Sequence, residues 1–457
     1  MYRNQVLDLN LVRVNPSFRK PAHPFTEGDS LMLILSGELK LQVDGERYVL
    51  RPMQLAVIPR GAAPGFEAGP QGACSRLPTC TWATALRPAP DNGRFPQMAS
   101  MLKRSRAILM ALGIIALLFA MWAGLVRMGW RLPPLERNLA GRHGPLMVAG
   151  FLGTVISLER AVALKHPWTY LAPALSGLGG LVLLAGLPSR LGEALITLAS
   201  LVLLAVFGLI VKRQRALFTE TMALAAAVWL GGNVLWLAGG SIPQAVPWWA
   251  GFLILTIAGE RLELSRLVLS GRTTERLFLA AAAVYVAGLA VTLLDYGWGV
   301  RLAGLGLVGL AAWLLRFDVA RRTVRLKELP RFIAVALLTG YAWLGISGLL
   351  ALWYGGVMAG AHYDAILHTI FLGFVMSMIF AHAPVIFPAV LGKALPYRPA
   401  FYLHLALLHL SLALRVTGDL ADWLAGRQWG GMVNVFALLF FLFNTARAVL
   451  GARAAGA

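Results

Sequence analysis

Charge is what this chain lacks most. Only 14% of its 457 residues are Asp, Glu, Lys or Arg, whereas 58% are hydrophobic. A soluble globular protein carries roughly a quarter of its residues as charges, so that class is excluded. Acid is scarcer than base: 21 Asp and Glu stand against 41 Lys and Arg, a net charge of +20. Cysteine is nearly absent. Cys74 and Cys80 are the only two, which excludes a disulfide framework in a chain this long and reads as two reduced thiols. The first thirty residues are polar, so no secretory signal is expected there.

The few charges are unevenly placed. Residues 1–100 hold 11 Lys/Arg and 8 Asp/Glu, and residues 101–457 hold 30 and 13. The basic excess belongs to the apolar part, where Lys and Arg on loops flanking membrane helices are its ordinary cause. Nucleic acid is not an expected partner. Three regions follow: 1–70, a small β domain; 71–100, a linker rich in Pro, Gly, Ala and Thr; and 101–457, a membrane domain.

The β domain reads as short strands at Asp29–Val43, Tyr48–Leu50 and Leu55–Ile58, with a hairpin-turn signal at Asp44-Gly45. The run Gly37-Glu38-Leu39, Val43-Asp44-Gly45, Leu50-Arg51-Pro52 and Ile58-Pro59-Arg60-Gly61 resembles a cupin over 22–68. The resemblance implies a small ligand-sensing or assembly domain. Many cupins hold a metal through three histidines and a glutamate. Here His23 and Glu27 are the nearest ligand types, and Pro64 and Gly65 stand where the third histidine falls, so no metal is expected there.

The membrane domain reads as an all-α bundle of twelve transmembrane helices. Apolar stretches of about twenty residues, the length a bilayer needs, fall at 107–130, 144–164, 169–187, 192–211, 219–238, 247–269, 277–296, 299–316, 331–354, 363–391, 399–418 and 428–447. With the amino terminus inside, the inner loops carry 19 Lys/Arg and the outer loops 7. Both termini and the β domain are therefore expected in the cytoplasm of a bacterial-type inner membrane, with the lipid bilayer as partner.

A pattern recurs within the bundle. Gly150-Phe151-Leu152 precedes Glu159-Arg160 in the second predicted helix, and Gly251-Phe252-Leu253 precedes Glu260-Arg261 in the sixth. In the tenth, Gly373-Phe374-Val375 precedes His382. Each polar residue lies nine positions after its glycine, and each helix is second in a group of four. Three four-helix pseudo-repeats are expected. Nine residues is ~13 Å of descent, which puts Glu159, Glu260 and His382 at one depth in the inner half. Charge in hydrocarbon needs a partner, and Arg160, Arg261 and Glu263 are candidates for one polar cluster with them. That cluster reads either as a structural ion-pair knot or as a path for protons or a ligand.

Five of the eight histidines lie on or just before the tenth and eleventh helices. His143 opens the second helix and His368 lies near the start of the tenth, at a similar depth. Two imidazoles on facing helices can supply both axial ligands of a haem. His382 and His404, both in the inner half, form a second candidate pair for a metal. His404 and His409 read equally as hydrogen-bonded core residues, and His143 as a helix-start residue.

Residues Ala365-Ile366-Leu367-His368, Gly373-Phe374, Ser377-Met378, Leu391-Gly392, Leu407-Leu408 and Leu414-Arg415-Val416 resemble the last part of the NnrS family. These are twelve-helix membrane proteins that bind haem and copper and are tied to nitric oxide stress. Residues 251–261 resemble the family's sixth helix, with Gly259, Glu260 and Arg261 on its Gly-Gly-Arg motif, and His143 matches its second-helix histidine. The resemblance implies haem b on His143 and His368, copper in addition, and a small diatomic or redox ligand. It also implies a distant relation to haem-copper oxidases. Their copper ligands come from the sixth and seventh helices, which hold no histidine here, so oxygen reduction is not implied. Two other functions fit the residues: a proton-coupled transporter or permease using Glu159, Glu260 and His382, and a membrane sensor gated by the cupin-like domain.

Overall fold

The computed structural model describes residues 8–14, 19–20, 30–43, 46–50, 55–58, 64–79, 94–133, 135, 138–265, 271–391 and 395–455. The chain divides into two compact units, Met1–Met98 and Ala99–Ala457. His23, Glu27, Cys80 and the Asp44-Gly45 turn lie outside the described residues.

The first unit is an antiparallel sheet of β1 (Asp8–Val14), β2 (Arg19–Lys20), β3 (Ser30–Val43), β4 (Glu46–Leu50), β5 (Leu55–Ile58) and β6 (Pro64–Thr79). The long strands β3 and β6 pair along most of their length and carry the shorter ones. Alternation sets the faces of β3: Leu39 and Leu41 are buried, while Lys40 and Gln42 between them are exposed. Register against β6 shifts between Ile34 and Ser36 and between Gly37 and Leu39. Ser36-Gly37 is the break the sequence shows between two apolar runs, and glycine accepts the irregular backbone a bulge demands. Strand β6 runs to Thr79 and the first helix begins at Arg94. The segment read as a linker is thus in part sheet and in part helix, because β6 must extend to match β1 from Asp8 to Val14.

Among the described residues, the second unit holds twelve helices long and apolar enough to cross a membrane. They are α1 (Arg104–Arg127), α2 (Leu139–Leu164), α3 (Pro167–Leu184), α4 (Ser189–Arg213), α5 (Leu217–Leu237), α6 (Ile242–Ser265), α7 (Arg272–Val291), α8 (Tyr296–Phe317), α9 (Glu328–Tyr354), α10 (Gly360–Pro388), α11 (Phe401–Leu420) and α12 (Leu424–Val449). Their outer faces carry exposed apolar side chains such as Leu198, Leu279, Leu349 and Leu410. That is the surface a helix shows to lipid, where burying apolar area against a partner gains little. The most buried spans are α2, α6 and α10, with 61%, 72% and 67% of their central windows inside the protein against 28–56% for the other nine. These three helices form the centre of the bundle.

The motif glycines are the points where the central helices touch their neighbours. A Cβ at Gly150 would lie 3.0 Å from Ala116 of α1 and 3.6 Å from Gly180 of α3. At Gly251 it would lie 2.8 Å from Val228 of α5 and 2.9 Å from Leu289 of α7. At Gly373 it would lie 2.5 Å from Trp343 of α9 and 3.0 Å from Leu412 of α11. Small residues at such crossings let helices approach closely in lipid.

Two of the central helices are not regular. Leu146–Gly153 of α2 and Thr369–Met376 of α10 are π-helical. The motif glycine is the fifth residue of each segment. The residue just past each segment, Thr154 or Ser377, donates its hydroxyl to that glycine's carbonyl at 2.8 and 2.6 Å. A side-chain donor thus satisfies a carbonyl at the point where the wide turn returns to α geometry. Short π segments inside α-helices are frequent at functional sites.

Candidate functional site

Both π segments sit just past a histidine, and the two histidines face each other. His143 and His368 have ring centres 6.3 Å apart with planes inclined by 25°. His143 Nδ1 lies 2.7 Å from the Ala120 carbonyl oxygen, and His368 Nδ1 lies 2.9 Å from the Asp364 carbonyl oxygen. A carbonyl only accepts, so each Nδ1 carries the proton and donates it. Each Nε2 is left with its lone pair free. This is the arrangement in which metal-bound histidines are held, with the second ring nitrogen donating to a carbonyl or carboxylate.

The imidazole of His368 is held further. The Asp364 carboxylate lies 3.3 Å from its Nδ1. Arg415 of α11 clamps that carboxylate with two charge-assisted hydrogen bonds, Nε to Oδ2 at 2.7 Å and a terminal nitrogen to Oδ1 at 2.9 Å. Sequence reasoning missed Asp364 altogether and used Arg415 only as a matching residue. The available signal was Asp364 four positions before His368, which puts both on one helix face.

The two histidines line one and the same cavity between the helices. Its walls come from α1, α2, α6, α10, α11 and α12 and are mostly apolar, with four methionines, Met121, Met128, Met147 and Met376. Arg415 is its cation. Gly124 makes room for the His143 ring, since a Cβ there would stand 3.0 Å from it.

These residues fit a haem. Two free Nε2 atoms, an apolar cavity and one arginine match the needs of an iron, a flat ring and its carboxylates. Among the described residues no cluster of three or more His, Cys, Asp and Glu is arranged to hold a bare metal ion.

At the other end of the same helices Glu159, Glu260 and His382 line a second cavity. The three positions that share an offset in the sequence therefore meet in space. Arg160 contacts the Glu260 carboxylate and lies 3.6 Å from that of Glu159.

The other members of the expected cluster go elsewhere. Arg261 turns away and pairs with Asp318, Nε to Oδ2 at 2.7 Å and a terminal nitrogen to Oδ1 at 2.8 Å, with side chains 4% and 0% exposed. Asp318 also accepts from the Ala320 amide. A guanidinium this buried takes the partner that offers a two-pronged contact, and Asp318 does so. Glu263 is half-buried and does not line the cavity.

The expected pair of His382 and His404 is also corrected. His382 faces the second cavity, but His404 is fully buried among Phe380, Phe401, Phe332 and Phe441, with ring centres 4.8 to 6.1 Å away. Its Nδ1 lies 3.3 Å from the Asn444 amide nitrogen. Phe441 lines the cavity and His404 does not. His409 is satisfied at both nitrogens, by Trp343 at 3.0 Å and Thr339 at 2.9 Å.

Two solved structures are similar in part. One is the cupin domain of Cnp3 from Schizosaccharomyces pombe, at 15% identity and a TM-score of 0.15, covering 16% of this chain. The chain spans 59% of that structure's length. The other is the conserved SPY1581 protein of unknown function from Streptococcus pyogenes, at 22% identity and a TM-score of 0.16, covering 18% of this chain and 70% of that one. No curated protein matches the chain. Residues 106–450, nearly the whole helical unit, match the family described as Domain of unknown function (DUF8744), and the chain belongs to that family.

Proposed function

We propose that this is a haem-binding integral membrane protein of NnrS type, with haem b between His143 and His368 and a role in handling nitric oxide or a related small redox ligand. The observation that carries this is the facing pair of imidazoles, each anchored through Nδ1 and free at Nε2, at the mouth of two matching π segments. Bound haem supplies one-electron chemistry toward such a ligand. The chain's part would be to hold the group: His143 and His368 would bind it through Nε2, Arg415 would meet a carboxylate, and Asp364 would fix His368. Copper, which the resemblance also implies, would have His382 as its candidate ligand in the second cavity.

Internal threefold pseudo-symmetry is part of this reading. It is supported by the motif glycines, each wedged between the helix before it and the helix after it, and by the convergence of Glu159, Glu260 and His382. So is a cytoplasmic placement of both termini in an inner membrane. The loops on the Glu159 side carry most of the Lys and Arg, while exposed Trp298, Trp353, Trp423 and Trp429 lie at the His143 side, where an aromatic belt is expected. The cupin-like sheet would serve as a sensing or assembly domain.

An absorbance spectrum of protein purified after expression with ample haem tests the proposal. A Soret band is expected, lost in His143→Ala and His368→Ala. Folded wild-type protein without one would end the haem reading. A proton-coupled permease is the second reading, favoured by the same convergence of Glu159, Glu260 and His382. Haem-free protein whose uptake activity is abolished by Glu260→Gln would establish it instead.

A further inference from the structure

The cavity on the Glu159 side has a chemistry of its own. It is lined by five of the helices that line the first, α1, α2, α6, α10 and α12, and Leu152 borders both. Its walls are apolar and include Phe151, Phe387 and Phe441.

Its polar groups are all acceptors. His382 Nδ1 lies 2.7 Å from the Met378 carbonyl oxygen, so it donates there, and Nε2 keeps its lone pair. Thr256 donates its hydroxyl to the Phe252 carbonyl at 2.7 Å, leaving only lone pairs toward the cavity. Glu159 and Glu260 are carboxylates, and Arg160, the one cation seen to touch them among the described residues, is not part of the lining. The first cavity, by contrast, presents Arg415. Two carboxylates and a neutral imidazole repel an anion such as a haem carboxylate. They call for a ligand that brings hydrogen-bond donors, while the walls call for an apolar ring.

We infer that this second cavity binds a lipid-soluble hydroxy-aromatic of the quinol class, its hydroxyls donating to His382 Nε2 and the Glu159 carboxylate. A quinol brings a flat apolar ring and two O–H donors. The corresponding quinone has the same shape but only acceptors, and would leave the lining groups unpaired in a desolvated site, which costs affinity steeply. The inference does not depend on haem in the first cavity.

The test compares a decyl-substituted benzoquinol with its quinone under anaerobic conditions. Binding to the full-length purified protein is followed by titration calorimetry. The quinol is expected to bind at least tenfold more tightly than the quinone. Glu159→Met and His382→Leu should each weaken the quinol fivefold or more and leave the quinone unchanged. They should also leave any Soret band in place, which separates this site from the haem reading. The wild-type comparison needs no variant to fold. Equal affinities for quinol and quinone would overturn the proposal, since a lipid-filled groove would show that result. So would displacement of the quinol by decylamine at lower concentration, which would make the cavity a site for cations.

Discussion

Asp364 gives the sharpest test of how the first cavity is held together. Its carboxylate serves two groups, Arg415 through two short hydrogen bonds and the Nδ1 edge of His368 at 3.3 Å. Replacing it by asparagine keeps the shape but puts an amide where one oxygen stood. The amide can accept from Arg415 only once, and it carries no charge beside the imidazole Nδ1–H, which the backbone carbonyl of residue 364 alone then holds. The Arg415 side chain, only 8% exposed, loses the carboxylate that clamps it at both nitrogens. Loss of a group that orients a metal-bound histidine costs about 10–100-fold in affinity, or about 1.4–2.8 kcal/mol. In Asp364→Asn, haem affinity measured by titrating apoprotein and reading the Soret band should fall within that range. Asp318→Asn supplies the control. It breaks a pair of the same chemistry away from the first cavity, so it should lower stability and leave haem affinity unchanged. Wild-type affinity in a folded Asp364→Asn protein, or equal losses in both variants, would refute the role given to Asp364.

Three further outcomes follow from packing and charge. Asp318→Asn should cost about 3–5 kcal/mol, because the guanidinium of Arg261 is left buried and uncompensated; thermal unfolding in detergent reads this, and Arg261→Met with Asp318→Leu should recover much of the loss. Gly373→Ala should destabilise by about 1–3 kcal/mol, since its Cβ would fall 2.5 Å from Trp343, whereas the same change at Gly208, which meets nothing within 4 Å, should be neutral or stabilising on the same assay. His404→Phe should retain fold and the full Soret band, because His404 sits in an aromatic box and lines neither cavity; a lost band would return it to the ligand set.

The helices were legible because a membrane span is a local property. Twenty apolar residues are required whatever surrounds them, and the stretch read as 219–238 is α5 at Leu217–Leu237. The polar convergence was legible for a different reason. Glu159, Glu260 and His382 share an offset from a glycine, and a glycine at a helix crossing fixes which face of the helix points inward. Partners were not legible. Arg261 and Asp318 are 57 positions apart and Arg415 and Asp364 are 51 apart, so no periodicity links them. The sequence rule that a buried charge needs a partner was right, but it named the nearest acid along the chain. For Arg261 the partner came from the turn after α8.

The π segments bear on spacing within one helix. His368 and His382 are fourteen residues apart, which at 100° per residue puts them within ~40° of one face. That arithmetic assumes α geometry throughout, yet Thr369–Met376 between them is π-helical, with more residues per turn. The face on which His382 emerges is therefore set by the widened turn. The same widening in α2 separates His143 from Glu159. Both helices carry it at the same register against their motif glycine, with His143 facing His368 in one cavity and Glu159 and His382 both lining the other. The regular α6 brings Glu260, at the same offset from its own glycine, to the same cavity. One set of helices thus builds two cavities of opposite electrostatic character, one presenting a cation and the other carboxylates.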